Sequence, residues 1–206
     1  MIVEAFDIET GPVGGKFDES TVKFGSLKDP VKKERKIIEA MIKWEQNQAL
    51  NPETGEILLI VISDGHSYFD FYGDEAEMLG EVWDHFRESL DRGNRLVGHN
   101  CFGFDLPFMM KRSYIHGLSI PIGIYNHLYR RWGEHFVDTM KLWTLGAYQE
   151  FITLDKLDRL FGGPGVGKGK KFKELWERDQ QKAIEYCHGD VDATLRVSKQ
   201  MGVYSL

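Results

Sequence analysis

The chain has few cysteines and no long apolar run, and each scarcity excludes a class of protein. Among its 206 residues are two cysteines. Two cysteines without a CxxC pair or a Cys/His zinc spacing exclude a disulfide scaffold and a zinc ribbon. Every apolar run is shorter than the roughly 18 residues of a membrane span. The start, MIVEAFDI, resembles a strand rather than a secretory leader. We therefore expect no membrane association and a reduced, cytoplasmic setting.

Positive charge is also scarce, because 26 Lys and Arg face 32 Asp and Glu, which gives a formal net charge of −6. Proteins that bind nucleic acid tightly without specificity normally offer a basic surface to phosphates. The deficit argues against that class. It does not argue against an enzyme that gathers carboxylates around metal ions and guides its substrate with a local basic strip. A hydrophobic fraction of 42% is sufficient for a core and excludes a disordered chain.

Hydrophobic periodicity predicts one α/β domain over residues 1–206. We expect a central mixed sheet in which three antiparallel strands are followed by parallel strands, flanked by helices. The strands are predicted at 1–8, 56–63, 68–72, 95–100 and 135–139. A helix at 31–50 lies in a segment of about 12–50 that we interpret as an insertion. Further helices are predicted at 74–90, 106–116, 153–161, 173–176 and 180–201.

Asp7 and Glu9 lie two residues apart in FDIET, at the end of the first predicted strand. Alternation in a strand directs both carboxylates to one face, while Ile8 packs on the other. Two close carboxylates repel each other unless a cation lies between them, and oxygen ligands suit Mg²⁺ or Mn²⁺. Two solvated acids at a strand edge remain the alternative, because Asp-x-Glu is common by chance.

Asp105 stands at the predicted start of a helix, after a strand and a loop, in HNCFGFDLPFM. It is either the helix N-cap, a position that favours aspartate, or a ligand at a helix start suited to phosphate and metal chemistry. Pro107 is compatible with the first turn of this helix. The two interpretations do not exclude each other.

Tyr186 and Asp190 lie four residues apart in the last predicted helix and share one face. This spacing lets Asp190 hold a metal ion while the Tyr186 phenol reaches the attacking water. A tyrosine with a pKa of about 10 is a poor general base, so we expect Tyr186 to position that water. Asp192 is turned away from Asp190 and is predicted to be a solvated surface acid.

The segment GGPGVGKG at 162–169 is nearly a phosphate-binding P-loop. Its lysine is followed by Gly169 instead of the Ser or Thr that holds Mg²⁺, and a helix rather than a buried strand is predicted before it. Both departures argue against a P-loop nucleoside triphosphatase.

In their order along the chain, FDIET, HNCFGFDLPFM and YCHGDVDAT resemble the DEDD family of 3′–5′ exonucleases. The third motif is similar to that of the Tyr-x-x-x-Asp subclass, and the whole most resembles exonucleases related to the proofreading domain of family-B DNA polymerases. The resemblance implies an RNase H-like fold and two divalent ions, Mg²⁺ or Mn²⁺. Asp7, Glu9, Asp105 and Asp190 would hold these ions, with Tyr186 as the fifth catalytic residue, and two ions about 4 Å apart would stabilise the attacking and leaving oxygens.

The same resemblance implies substrate contacts. Asn100 and Phe104 fit the family pattern Asn-x-x-x-(Phe/Tyr)-Asp, and Lys168 lies in a Gly- and Lys-rich loop that would face the substrate backbone. Thr10, next to Glu9, is expected near the terminal ribose. Core packing for Phe104 and a solvated loop for Lys168 remain open.

These features predict a metal-dependent enzyme that hydrolyses single-stranded DNA from the 3′ end and releases nucleoside 5′-monophosphates. An exoribonuclease of the same fold and a catalytically silent nucleic-acid-binding module are the alternatives. Because the sequence contains no polymerase domain, proofreading would require a separate polymerase or replication and repair proteins as partners.

Overall fold

The architecture comes from a computed structural model, which describes residues 1–129, 135–145, 147, 150–167 and 172–205. Its strands are β1 Val3–Pro12, β2 Gly55–Ser63, β3 Tyr68–Phe71, β4 Arg95–Gly98 and β5 Phe136–Asp138. Its helices are α1 Pro30–Asn47, α2 Glu75–Asp91, α3 Asp105–Ile115, α4 Ile122–Tyr129, α5 Thr139–Thr144, α6 Leu154–Leu160, α7 Phe172–Arg178 and α8 Gln180–Gln200. Within these residues no helix is both long enough and apolar enough to cross a membrane.

The strands of the described residues form one mixed sheet in the order β3-β2-β1-β4-β5. β1 and β3 run antiparallel to β2, whereas β1, β4 and β5 run parallel to one another. This confirms the predicted sheet of three antiparallel strands followed by parallel strands. β1 is central, and its pairing with β4 covers only Val3 to Ala5. Its carboxyl half therefore extends beyond β4 and leaves room for side chains from other elements.

Alternating side chains of the central strands fill two cores, one on each face of the sheet. Phe6 and Ile8 of β1 pack with residues of α2 and α3 on one face. Val3 and Ala5 pack with residues of α7 and α8 on the other. The odd positions of β1 therefore face α8, and the same alternation directs Asp7 towards α8 as well.

Most predicted elements are confirmed, and the differences lie in β1 and between α3 and α6. The strand predicted at 1–8 continues to Pro12. Gly11 and Pro12 do not end it, because beyond Ala5 the strand pairs with β2 alone and one side needs no ladder hydrogen bonds. The helices α4 and α5 were not predicted, since eight and six residues are too few to establish a helical period.

A buried ionic cluster ties α3 to α2 and to the start of β2. The Glu75 carboxylate accepts hydrogen bonds from Nε of Arg112 at 2.9 and 3.1 Å and from the N–H of Ile57 at 2.8 Å. Nε2 of His116 lies 2.7 Å from Oε2 of Glu75, and Nη1 of Arg112 donates to the Pro52 carbonyl at 3.0 Å. Burial acts to raise the pKa of Glu75, but the bonds from Arg112, His116 and Ile57 hold it below its usual range.

Replacing Glu75 by glutamine is expected to cost about 3 kcal/mol at pH 7, because Arg112 stays buried without its counter-charge. A depressed carboxyl pKa stabilises the fold above the unfolded pKa, and this stability is lost as the pH falls through the folded value. The difference between wild type and Glu75→Gln should therefore narrow below about pH 4. Urea unfolding at pH 7 and pH 3.5 measures this difference in the free energy of unfolding. The exposed Glu77→Gln is the control, and a difference that is the same at both pH values would contradict the assignment.

Candidate active site

β1 brings Asp7 and Glu9 to one face of the sheet, as the alternation predicts. Ile8 between them is buried in the opposite core and pairs with Ile60 of β2. One ligand atom each of Asp7, Glu9 and Cys187 lies within 4.8 Å of the other two. The register of β1 against β2 shifts between Glu9 and Thr10. Such bulges re-aim side chains and are frequent next to active sites.

Asp105 reaches this cluster from the first turn of α3. The N-cap of α3 is Phe104, so the interpretation of Asp105 as the cap is wrong. Its Oδ1 instead accepts a hydrogen bond from the Ile8 N–H at 3.3 Å, which joins α3 to β1 between the two acidic residues. Asp105 is 4% exposed, and this burial raises the pKa of its carboxyl to about 7.

α8 contributes Tyr186 and Asp190, which share one helix face as predicted. Within the described part of the chain, Oδ1 of Asp190 is buried and has no hydrogen-bond partner. Burial raises the pKa of Asp190 to about 7. The Tyr186 hydroxyl donates to the Gly167 carbonyl at 3.3 Å. Burial and the nearby charges of Asp190 and Glu9 raise the pKa of Tyr186 above its usual value, so the phenol is a proton-bearing donor and not a base.

The four carboxylates act on one another electrostatically. Burial, followed by the charges of Asp105, Glu9 and Asp190, raises the pKa of Asp7 well above its usual range. Burial and the charges of Asp190 and Asp105 do the same to Glu9. Among the salt bridges of the described residues, none involves these four side chains. Asp105 is buried and the other three carboxylates are half-buried. Clustered carboxylates with hard oxygen donors, one of them unsatisfied, have the chemistry that Mg²⁺ or Mn²⁺ requires.

The sequence analysis missed Cys187, which the fold places against Asp7. Its thiol is fully buried and donates to Oδ2 of Asp7 at 3.6 Å. Burial, then the charges of Asp7 and Glu9, raises the pKa of the Cys187 thiol well above its usual value. Cys187 is therefore a neutral donor in this cluster. No sequence signal identifies it, because a lone buried cysteine ordinarily acts as a small core residue.

A second missed residue is Asp138, at the end of β5, which is 2% exposed. Its carboxylate accepts from the N–H groups of Asn100 at 3.0 Å and Phe102 at 3.1 Å. It also caps α5 by accepting from the Met140 N–H. Asp138 thus holds the loop that leads to Asp105, where Asn100 adopts a left-handed φ of 62°. Its position before a short helical run is an N-cap signal that could have identified it.

The residues predicted to contact substrate have mixed surroundings. The Thr10 hydroxyl donates to the Ala49 carbonyl at 2.6 Å. The Phe104 ring packs on Phe108 with centroids 5.4 Å apart and remains partly exposed, as does Asn100. Lys168 lies outside the described residues. The substrate-binding roles of these four residues remain predictions.

Asp192 is partly exposed, and the prediction of a solvated surface acid missed its hydrogen-bond partner. Its two carboxylate oxygens lie 2.8 and 2.9 Å from the Tyr68 hydroxyl, which donates to them. Burial and this bond raise the pKa of Tyr68 to about 12. The His188 ring stacks on Tyr68 at 3.8 Å, and its Nε2 lies 2.7 Å from Oδ1 of Asp70. These contacts attach α8 to the edge strand β3.

The glycine-rich segment agrees with the exclusion of a P-loop. It follows the helix α6 and not a strand. In its described part, the N–H of Gly165 donates to Asp158 at 2.9 Å, and that of Val166 donates to Asp155 at 3.0 Å. Carboxylates thus occupy the amides that a P-loop would offer to phosphate.

Gly167, in this same segment, packs directly on the Tyr186 ring. A Cβ at Gly167 would lie 2.5 Å from Cε2 of Tyr186. Replacing Gly167 by alanine should therefore displace the ring and lower turnover by about 10-fold, less than the roughly 100-fold or more expected for complete loss of a positioned proton-bearing group. Single-turnover kinetics measure the effect. Gly189→Ala is the control, because a Cβ at Gly189 meets open space. Equal rates for the two variants would mean that the Tyr186 ring tolerates displacement.

Comparisons with known proteins identify the family and the fold. A family described as "Predicted 3'-5' exonuclease related to the exonuclease domain of PolB" matches residues 68–204. This range contains Asp105, Tyr186 and Asp190 but not Asp7 or Glu9. No protein with a curated function shows significant sequence similarity to the chain.

Among solved structures, the chain is similar to the family B DNA polymerase from the hyperthermophilic archaeon Pyrobaculum calidifontis. The TM-score is 0.63 at 20% sequence identity. The similarity covers 97% of this chain and 24% of the polymerase, so the chain spans about a quarter of the length of that protein. The likeness shows the fold, which is the predicted RNase H-like α/β fold.

Proposed function

The chain belongs to the family of predicted 3′–5′ exonucleases related to the exonuclease domain of PolB, and we propose that it is a divalent-metal-dependent 3′–5′ exodeoxyribonuclease. In this proposal it hydrolyses single-stranded DNA from the 3′ end and releases nucleoside 5′-monophosphates. It is a member of the DEDD group with the Tyr-x-x-x-Asp third motif. Residues 1–206 act as one exonuclease domain, into which about 12–50 are inserted.

One observation carries the proposal: four carboxylates from β1, α3 and α8 converge beside a protonated tyrosine. Asp7, Glu9, Asp105 and Asp190 each have a raised carboxyl pKa. A protein pays for such clustering in stability unless cations bind there. Acids that only support the fold are instead satisfied by partners, as Glu75 is by Arg112 and Asp138 is by the N–H groups of Asn100 and Phe102.

In the proposed mechanism, Asp7, Glu9, Asp105 and Asp190 hold the two ions. When bound, these ions supply Lewis acidity to the phosphodiester and stabilise the oxygens that attack and leave. The chain's own contributions are positional. The hydrogen bond between Asp105 and the Ile8 N–H fixes α3 against β1. The Tyr186 hydroxyl keeps its proton and exchanges its 3.3 Å bond to the Gly167 carbonyl for one to the attacking water. The rings of Phe104 and Phe108 border the loop that would seat the terminal nucleotide.

The preference for DNA over RNA is the finer part of the proposal, and its support is the likeness to a DNA polymerase domain. Discrimination requires contact with the ribose 2′ position. Thr10 is the candidate for this contact. Its proton is committed to Ala49, so its hydroxyl oxygen can only accept a bond. Exoribonuclease activity is the second candidate function, because the Thr10 oxygen could accept a hydrogen bond from the 2′-hydroxyl of RNA.

Digestion of end-labelled oligonucleotides tests the proposal. A 5′-labelled DNA strand should shorten in single-nucleotide steps with Mg²⁺ or Mn²⁺, and a 3′-labelled strand should release its label as mononucleotide at once. EDTA should stop both reactions, and added Mg²⁺ should restore them. Hydrolysis that persists in EDTA would refute the metal dependence, shortening from the 5′ end would refute the polarity, and faster digestion of the matched RNA would favour the exoribonuclease.

A further inference from the structure

Two stretches of this acidic chain are rich in positive charge: residues 168–173 hold four lysines and no acid, and residues 23–43 form a longer basic segment. Residues 23–43 contain seven Lys or Arg and three Asp or Glu, a surplus of four positive charges. Since the whole chain carries −6, the remaining residues carry −10. We call residues 23–43 the basic arm. It lies outside the range that the family model matches, which begins at residue 68.

Most of the basic arm belongs to α1, which projects from the rest of the fold. No described side chain of α1 is buried, although the helix is 18 residues long. It begins at Pro30 with Asp29 as N-cap, whose carboxylate accepts from the Val31 N–H at 3.0 Å. Nζ of Lys36 donates to the Lys23 carbonyl at 2.6 Å, which folds the preceding segment against the helix. The arm is therefore an ordered, exposed structure.

Three lysines form a stripe along α1. Lys32, Lys36 and Lys43 are separated by four and seven residues, which places them on one side of a helix. All three are exposed. Among the salt bridges of the described residues, none neutralises these ammonium groups. Glu39 lies on the same side, three residues after Lys36 and four before Lys43, so the stripe carries a net charge of +2. Its surplus of positive charge becomes favourable when it meets a polyanion.

The carboxyl end of α1 is anchored close to the candidate active site. Trp44 packs on Phe17, with ring centroids 5.8 Å apart, in the segment that follows β1. The 3₁₀ turn Gln48–Leu50 continues α1 and binds β1 through the bond from the Thr10 hydroxyl to the Ala49 carbonyl. Thr10 adjoins Glu9. The carboxyl end of α1 is thus tied to β1 one residue from Glu9, and the 18 residues of the helix are about 27 Å long.

We propose that the basic arm is a docking surface for the phosphate backbone of the substrate strand, upstream of the scissile bond. This inference rests on the proposed function, because it assigns the nucleotides that do not react to a surface outside the catalytic cluster. Strand phosphates repeat about every 3.4 Å along a stacked strand, so the lysine stripe from Lys32 to Lys43, about 16 Å long, spans roughly five nucleotides. It resolves the conflict between a net charge of −6 and a polyanionic substrate.

The triple variant Lys32→Gln, Lys36→Gln, Lys43→Gln tests the docking surface. Its affinity for a 12-nucleotide single-stranded DNA should fall about 10-fold at low salt. The slope of log affinity against log salt should become shallower by about 2, since each phosphate contact contributes about 0.7 on single strands. Binding is measured by fluorescence anisotropy over a KCl series, with Asp7→Asn added to every protein so that the strand is not degraded. Affinity for a dinucleotide, which is too short to reach the arm, should not change.

The matched control is Arg87→Gln, Arg92→Gln, Lys199→Gln, which removes the same charge from exposed positions on α2 and α8. If this control weakens binding as much as the arm variant, only net charge matters and the proposal is overturned. Unchanged affinity of the arm variant for the 12-nucleotide strand also overturns it. Separately, wild type and arm variant should hydrolyse the p-nitrophenyl ester of thymidine 5′-monophosphate at equal rates with Mn²⁺. If neither protein hydrolyses this ester, the result counts against the proposed function. The binding measurements would still decide whether the arm binds the strand.

Discussion

Replacing Asp7 by asparagine should lower DNA hydrolysis at least about 1,000-fold and, at the same time, make the metal-free protein more stable. Asp7 is the carboxylate on which the charges of Asp105, Glu9 and Asp190 all act. Losing a charged ligand at this point removes several kcal/mol of metal-dependent stabilisation of the transition state, and each 1.36 kcal/mol corresponds to a factor of ten in rate. Asparagine has the same shape but carries no charge, so the repulsion within the cluster decreases.

The stability of this variant has a defined pH dependence. A carboxyl pKa raised by folding means that the folded state holds its proton more tightly than the unfolded state, so stability falls as the pH rises above the unfolded pKa. Without metal, wild type should therefore lose more stability between pH 5 and pH 8 than Asp7→Asn. At pH 8 the variant should melt about 3 to 6 °C higher, which corresponds to about 1 to 2 kcal/mol for a chain of this length.

Calorimetric melting with EDTA and with Mn²⁺, together with rates on labelled DNA, measures both effects. Mn²⁺ should raise the melting temperature of wild type but not that of Asp7→Asn, because binding to the folded state alone stabilises it. Asp84→Asn, on the exposed side of α2, removes the same charge and should change neither quantity. Near wild-type hydrolysis by Asp7→Asn, or an unchanged stabilisation by Mn²⁺, would refute the assignment of Asp7 as a metal ligand.

How far the sequence determined this site depends on which contacts are local. The common face of Asp7 and Glu9 follows from strand alternation, and that of Tyr186 and Asp190 from the helical repeat. Sequence spacing does not predict that these two pairs of side chains lie next to Asp105. Their proximity depends on how β1, α3 and α8 pack. Only the resemblance to a known family predicted that meeting.

Cys187 and Gly167 were predicted neither by residue spacing nor by the resemblance to a known family. Both touch groups of the site, Asp7 and Tyr186 respectively, across gaps of 180 and 19 residues. Cysteine and glycine are also ordinary core and loop residues, so their types alone carry no signal. The fold was easier to predict than the site. Long helices such as α2 and α8 bury one face, and this burial appears in the sequence as a hydrophobic period. The short helices α4 and α5 lack such a face.

The Tyr186 hydroxyl distinguishes a catalytic site from a set of acids that merely bind metal. Replacing Tyr186 by phenylalanine should lower kcat by about 10- to 1,000-fold, the range for a positioned donor that acts mainly in the transition state. Metal and DNA affinity should stay within about twofold of wild type, so kcat and kcat/KM fall together. Because the raised pKa of Tyr186 keeps its proton in place, the variant should retain the shape of the pH–rate profile. A general base would instead remove one limb of it.

Asp190→Asn and Tyr204→Phe complete this experiment. Asp190→Asn removes a charged ligand from the same face of α8, so it should weaken Mn²⁺ binding in calorimetric titration, an effect that Tyr186→Phe should not produce. Tyr204→Phe removes a phenol hydroxyl at the far end of the chain and should leave kcat unchanged. If both residues only supported the helix, the two α8 variants would show similar, mild losses of stability and little change in rate. A kcat of Tyr186→Phe within twofold of wild type would mean that another group holds the water.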